Sequence, residues 1–159
     1  MNTVRSKPAA IADRTVTGAV NPPGLVRRRD CPGTILLVED DAAIREVIRE
    51  ILCQSGYQVL TAESEAQALE VWERFGLRID LLLSDVMIPY RTTGLALAKK
   101  LKGWKPELKV VYMSGFGREI GCGDPAMATC PFLKKPFTPE ELILVVAATL
   151  ETKASRSSL

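Results

Sequence analysis

Ile35-Leu36-Leu37-Val38-Glu39-Asp40-Asp41 is an apolar run that ends in three acids, and Leu81-Leu82-Leu83-Ser84-Asp85 repeats the form with one. Neither run has a helical period, so each reads as a strand buried on both faces, the kind found in parallel sheets. Carboxylates at the ends of two such strands converge on one edge of the sheet. Grouped carboxylates repel one another unless a cation neutralises them, and hard oxygen ligands suit Mg2+. The pattern points to metal-assisted chemistry on an anionic group.

The 159 residues, 47% hydrophobic and 25% charged, allow one domain with a sizeable core. No apolar stretch approaches the length of a membrane span, and the N-terminus lacks the apolar centre of a secretory signal. Four cysteines (Cys31, Cys53, Cys122 and Cys130) form no CxxC pair, and histidine is absent. Zinc and any histidine base are thereby disfavoured, and reduced thiols in a cytoplasmic protein are expected. Residues 1–30 carry six basic and two acidic side chains and read as a disordered basic tail, with a domain at 31–152 and a short tail at 153–159. Three consecutive arginines are few for gripping nucleic acid or anionic lipid, so neither partner is expected.

From Thr34 onward strand and helix signals alternate. Strands are expected at Thr34–Val38, Tyr57–Thr61, Ile79–Ser84, Leu108–Met113 and Pro131–Leu133. A helix from about Asp41 to Gln54 places Ile44, Val47, Ile48, Ile51 and Leu52 on one face. Ser64-Glu65-Ala66-Gln67 is a capping-box start. It leads into a helix with Leu69, Trp72 and Phe75 buried and Gly76 as the stop. Gly94–Gly103 makes a third helix bearing Leu95, Leu97, Ala98 and Leu101, whereas Gly115–Thr129, with four glycines, makes a helix there short or distorted. Thr138-Pro139-Glu140-Glu141 opens the last helix with cap, first-turn proline and N3 glutamate in register. In that helix Leu142, Val146 and Thr149 face inward, leaving Leu144, Ala147 and Ala148 as a modest outward patch. Five strand–helix units predict an α/β domain with helices on both faces of a parallel sheet and a site beyond the carboxyl ends of the strands.

Four blocks carry a family resemblance: Ile35–Asp41, Leu82-Leu83-Ser84-Asp85-Val86-Met87-Ile88-Pro89, Val111-Tyr112-Met113-Ser114-Gly115 and Phe132-Leu133-Lys134-Lys135-Pro136-Phe137. In order and separation, across about residues 33 to 151, they resemble response-regulator receiver domains of two-component signalling. The phrasing of the last two blocks is similar to receivers of hybrid sensor kinases. The resemblance implies a flavodoxin-like, doubly wound (βα)5 fold with strand order 2-1-3-4-5. It implies a single-domain response regulator or phosphorelay receiver, not an enzyme in its own right, whose partner is a histidine kinase or histidine phosphotransfer protein.

The resemblance also assigns roles. Asp85 is the phosphoacceptor, attacking a phosphohistidine that the partner supplies. Asp40, Asp85 and the Met87 backbone carbonyl bind Mg2+, with Glu39 acting through a water or as a second acid. Ser114 and Lys135 stabilise the phosphoryl group, and Ser114 and Phe132 form the switch. Asp41 is read instead as a helix cap. Lys134 is the decoy for Lys135, because neighbours on a strand face opposite ways. The Lys135–Pro136 bond is a candidate cis peptide. Met87 and Phe116 flank the site two residues after Asp85 and Ser114, and slow self-dephosphorylation is expected if they exclude water.

The loop Pro89-Tyr90-Arg91-Thr92-Thr93-Gly94 departs from the family form: it lacks the usual glycine after proline and is one residue longer. Two other readings use similar residues. An aspartyl-phosphate hydrolase would place its nucleophile after the first strand and needs a cap that this length does not supply. A flavin or nucleotide module needs an anion cradle where this chain has three acids. A receiver-like interaction domain that never accepts phosphate is the remaining alternative.

Overall fold

Five apolar runs pair into one parallel sheet in the computed structural model, which describes residues 31–88, 93–115, 125 and 129–152. The strands are β1 (Thr34–Val38), β2 (Gln58–Ala62), β3 (Leu81–Asp85), β4 (Lys109–Ser114) and β5 (Phe132–Lys134), in the order β2-β1-β3-β4-β5. The helices among the described residues are α1 (Ala42–Gln54), α2 (Glu65–Phe75), α3 (Gly94–Trp104) and α4 (Pro139–Glu151). The architecture is the doubly wound, flavodoxin-like one expected. The two tails, the loop at 89–92, Phe116 and nearly all of the glycine-rich stretch lie outside the described residues.

Strands β2 to β5 run about one residue further toward the acidic edge than the apolar runs indicate. Apolar composition marks burial, but the ladder continues through the first polar residue while a neighbour still offers backbone partners. Asp85 pairs with Met113, and Ser114 pairs with Lys134. The polar residues of the site are therefore held by strand hydrogen bonding rather than by loops.

Alternation along the strands splits the core in two. Ile35, Leu37, Leu81 and Leu83 pack under α1 and α4, and Leu36, Val38, Leu82 and Tyr112 pack under α2 and α3. Every one of these side chains is essentially excluded from solvent, each contributing on the order of 1.5–3 kcal/mol by burial. In α4, Leu142, Val146 and Thr149 face inward as predicted, and Leu144 is exposed.

Caps explain the helix starts. Asp41 accepts from the Ala43 and Ile44 amides at 2.9 Å each, confirming it as a cap. Thr138 and Glu141 form the reciprocal capping box. Ser64 accepts from Gln67, but the Gln67 side chain turns back to the Glu63 amide instead of closing the box on Ser64. Gly76 does not stop the chain in a left-handed turn. It keeps right-handed geometry and leads into a 3-10 turn over Gly76–Arg78. In α2 the buried stripe is Ala68, Val71 and Trp72, with Leu69 and Phe75 only partly covered.

The apolar face of α1 is wider than its contact with the sheet. Ile48 and Leu52 are buried, whereas Ile44 and Val47 are 38% and 57% exposed. They face a groove also lined by Pro136, Phe137 and Pro139.

Candidate functional site

Glu39, Asp85 and Lys135 each sit at or one step beyond a strand end, where the ladder fixes the backbone. The Glu39 amide donates to the Ala62 carbonyl at 3.1 Å, extending the β1–β2 pairing. The Val86 amide donates to Met113 at 2.8 Å, just past Asp85, and the Lys135 amide donates to Ser114 at 2.9 Å. Three strands thus deliver Glu39, Asp85 and Lys135 to one place.

Their side chains meet there. Lys135 Nζ lies 2.6 Å from Glu39 Oε2 and 2.6 Å from Asp85 Oδ2, bridging residues 96 and 50 positions away in the chain. The second Asp85 oxygen, Oδ1, accepts the Met87 amide at 2.8 Å, and Glu39 Oε1 accepts the Asp41 amide at 3.3 Å. Glu39 and Asp85 are buried, while Asp40 is exposed at the rim. Lys134 is exposed, and the ion pairs to Glu39 and Asp85 are made by Lys135. The Lys135–Pro136 peptide is cis, as expected.

The electrostatics are those of an under-compensated cluster. Burial pushes the Glu39 carboxyl above its ordinary range, and hydrogen bonding to Lys135 offsets only part of that cost. For Lys135 burial pulls the other way, but hydrogen bonds to Asp85 and Glu39 outweigh it and hold the ammonium above its usual value.

Glu39, Asp40 and Asp85 carry three negative charges against one ammonium, an excess of two that matches a divalent cation. The carboxylate donors are all hard oxygens, the set that Mg2+ prefers. Among the described residues the three acids do not close into a ready-made metal cluster.

Ser114 is fully buried at the end of β4. Phe132 is half-buried, packs against the core under α2 and α3, and pairs with Tyr112, two residues before Ser114. Period-two alternation puts Ser114 and Phe132 on the same face of the sheet. Met87 is 52% exposed beside Asp85.

Two supporting residues escape a reading of the sequence. Arg45 reaches back from α1 to donate to the Glu39 carbonyl at 2.7 Å and the Asp40 carbonyl at 3.2 Å, holding the acidic loop. Its position four residues after the cap Asp41 is the available signal. Gly94 starts α3 directly against the Asp85 backbone, and only the lack of a side chain permits that approach.

An acidic strand edge locked by a lysine from the fifth strand, on a sheet of order 2-1-3-4-5, defines a receiver-type signalling domain. The chain belongs to the response regulator receiver domain family, whose pattern it matches over residues 35–147. It is 36% identical over 119 residues to the sensor kinase CckA of Brucella abortus, covering 74% of this chain and 12% of that protein. It is 34% identical to the phosphate regulon transcriptional regulatory protein PhoB of Pseudomonas aeruginosa, covering 74% of this chain and 51% of PhoB. The chain thus spans about half or less of these curated relatives. Among solved structures it is similar to the receiver domain of the hybrid histidine kinase CckA, with a TM-score of 0.64, 34% identity, 75% of this chain and 100% of that one. The receiver domain of NtrX from Brucella abortus gives a TM-score of 0.66 at 34% identity, over 75% of this chain and 99% of that one. Among the described residues no helix is long and apolar enough to cross a membrane.

Proposed function

We propose that Asp85 accepts a phosphoryl group from a phosphohistidine on a histidine kinase or histidine phosphotransfer protein. The observation that carries this reading is the Lys135 ammonium at 2.6 Å from both Glu39 and Asp85. An Asp85 oxygen attacks phosphorus, the O–P bond forms as the N–P bond breaks, and the departing imidazole takes up a proton. Phosphoryl transfer depends mainly on positioning and charge neutralisation. Bound Mg2+ would supply the second positive charge on the equatorial oxygens. Glu39, Asp40, Asp85 and the Met87 carbonyl are the residues that would hold it.

In the product the new oxygens compete with Asp85 and Glu39 for Lys135, and the Ser114 hydroxyl is drawn toward the phosphoryl group. Phe132, on the same face, fills the space vacated, giving a two-state switch. The groove beside the site, formed by Ile44, Val47, Pro136, Phe137 and Pro139, suits an apolar surface of the donor protein. This reading places the chain as a phosphoacceptor module in the cytoplasm, with residues 31–152 as the receiver.

The test is incubation with Mg2+ and a small phosphodonor. The expected product is an acid-stable, base-labile gain of one phosphoryl group that D85A abolishes. Absence of any adduct in the wild-type protein would favour an interaction domain that never accepts phosphate. Steady turnover of a phosphate ester would favour a hydrolase.

A further inference from the structure

Both tryptophans of this chain, Trp72 and Trp104, meet at the sheet edge opposite Asp85. Trp72 lies in the last turn of α2 and Trp104 ends α3, and their rings stack with centroids 6.5 Å apart and planes 30° from parallel. Trp72 is nearly buried, but Trp104 is 61% exposed and Leu77, on the 3-10 turn, is 95% exposed. With Phe75 they line a groove of about 510 Å³.

The floor of this groove is held in place. Gly76 presents bare backbone to the Trp72 indole, and a Cβ there would fall 2.8 Å from the ring. Lys105 Nζ donates to the Leu77 carbonyl at 3.2 Å and the Ile79 carbonyl at 2.7 Å, tying the turn to the end of α3. The exposed apolar surface is preorganised, which lowers the ordering cost of binding.

The rim decides what binds. Arg74, Arg78 and Lys105 line the groove against a single acid, Glu73. Lys105 is occupied by the two carbonyls. Arg74 and Arg78 are exposed and have no ion-pair partner among the described residues. The chain's own first thirty residues carry six basic and two acidic side chains, so that segment does not complement this rim.

We infer that the Trp72–Trp104 groove docks an acidic, apolar-anchored segment of a protein partner. An aliphatic or aromatic side chain of the partner covers Trp104 and Leu77, and carboxylates pair with Arg74 and Arg78, where bidentate geometry is available. The groove lies at the amino ends of β3 and β4, so a partner held there leaves the Asp85 edge open. Its test is independent of phosphorylation.

Because the tryptophans lie only here, their emission reads the groove directly. The full chain is titrated with a tryptophan-free synthetic peptide that carries Glu and Asp around a Leu-x-x-Phe core, and with the same peptide bearing Lys in place of each acid. The expected result is a saturable emission change with the acidic peptide alone, weakened roughly tenfold or more by added salt and by R74E/R78E. L77D supplies an independent variant at an exposed side chain. Far-ultraviolet circular dichroism and labelling of Asp85 by a small phosphodonor should be unchanged in both. No saturable change, or an equal response to both peptides, overturns the inference. Emission that depends on protein concentration assigns the groove to a second copy, and altered emission in a full-chain L25D/V26D variant assigns it to the N-terminal segment. Either outcome also overturns it.

Discussion

Gly94 stands so close to Asp85 that a Cβ on it would fall 2.2 Å from the Asp85 carbonyl oxygen. The same atom would lie 2.7 Å from Ser84 Oγ, which donates to that carbonyl at 2.9 Å. The start of α3 therefore rests directly on the backbone that carries the proposed phosphoacceptor. G94A should cost on the order of 1–3 kcal/mol, as overpacking does, and should slow labelling of Asp85 by a small phosphodonor. G103A is the matched control, because a Cβ there meets nothing within 4 Å. Urea denaturation should show G94A alone with a lowered midpoint.

Lys135 bridges two buried carboxylates, so removing its charge leaves both uncompensated. Breaking a buried pair from one side costs about 3–5 kcal/mol. K135M, measured without divalent cations, should lose stability of that order. Added Mg2+ should recover a larger share in K135M than in the wild type. Equal Mg2+ stabilisation of the two proteins would argue against a metal site at these carboxylates.

Glu39 gives a pH dependence of defined sign. Its carboxyl is held above the ordinary 4.5 in the folded state, chiefly by burial. The folded protein therefore keeps this proton to higher pH than the unfolded chain. Stability from this group is intact below about pH 4.5 and declines as pH rises through the folded value. In a chelating buffer, the unfolding free energy of the wild type relative to E39Q should fall across that range and then level off. A relative stability that rises with pH would contradict the burial argument.

Ile44 and Val47 separate two kinds of phosphodonor. If a protein donor lands on α1, V47D should slow phosphotransfer from a histidine kinase or phosphotransfer protein tenfold or more, on the order of 1.4 kcal/mol. Labelling by a small phosphodonor should be unaffected, since Val47 lies outside the charged cluster. Side-by-side single-turnover assays check this, and equal loss with both donors would point to a folding defect.

Much of the fold was legible because strands β1, β3 and β4 announce themselves as unbroken apolar runs and three of the described helices begin at caps readable in the sequence, Asp41, Ser64 and Thr138. The meeting of Glu39, Asp85 and Lys135 was legible only through the joint pattern of four sequence blocks; no single block specifies which strands lie side by side. What stayed hidden depends on neighbours. Helical period shows that Ile44 and Val47 share a face with Ile48, but not that the sheet covers only part of that face. Composition ends β3 at Ser84, whereas the backbone of β4 carries it to Asp85. The Trp72–Trp104 stack joins two helices through packing that no local period encodes. Phe116 and the loop at 89–92 fall outside the described residues, so the expectation that Phe116 helps to exclude water rests on the sequence.

Because Glu39, Asp85 and Lys135 are each held at or next to a ladder hydrogen bond, the sheet acts as a ruler for the site. Loop insertions leave this measure untouched, whereas deletion of a single residue inside β3 or β5 would turn Asp85 or Lys135 to the opposite face. The spacing between acceptor and lysine can thus drift only by substitution, never by gradual changes in strand length. Within the strands, the signalling chemistry and the folding register are one constraint.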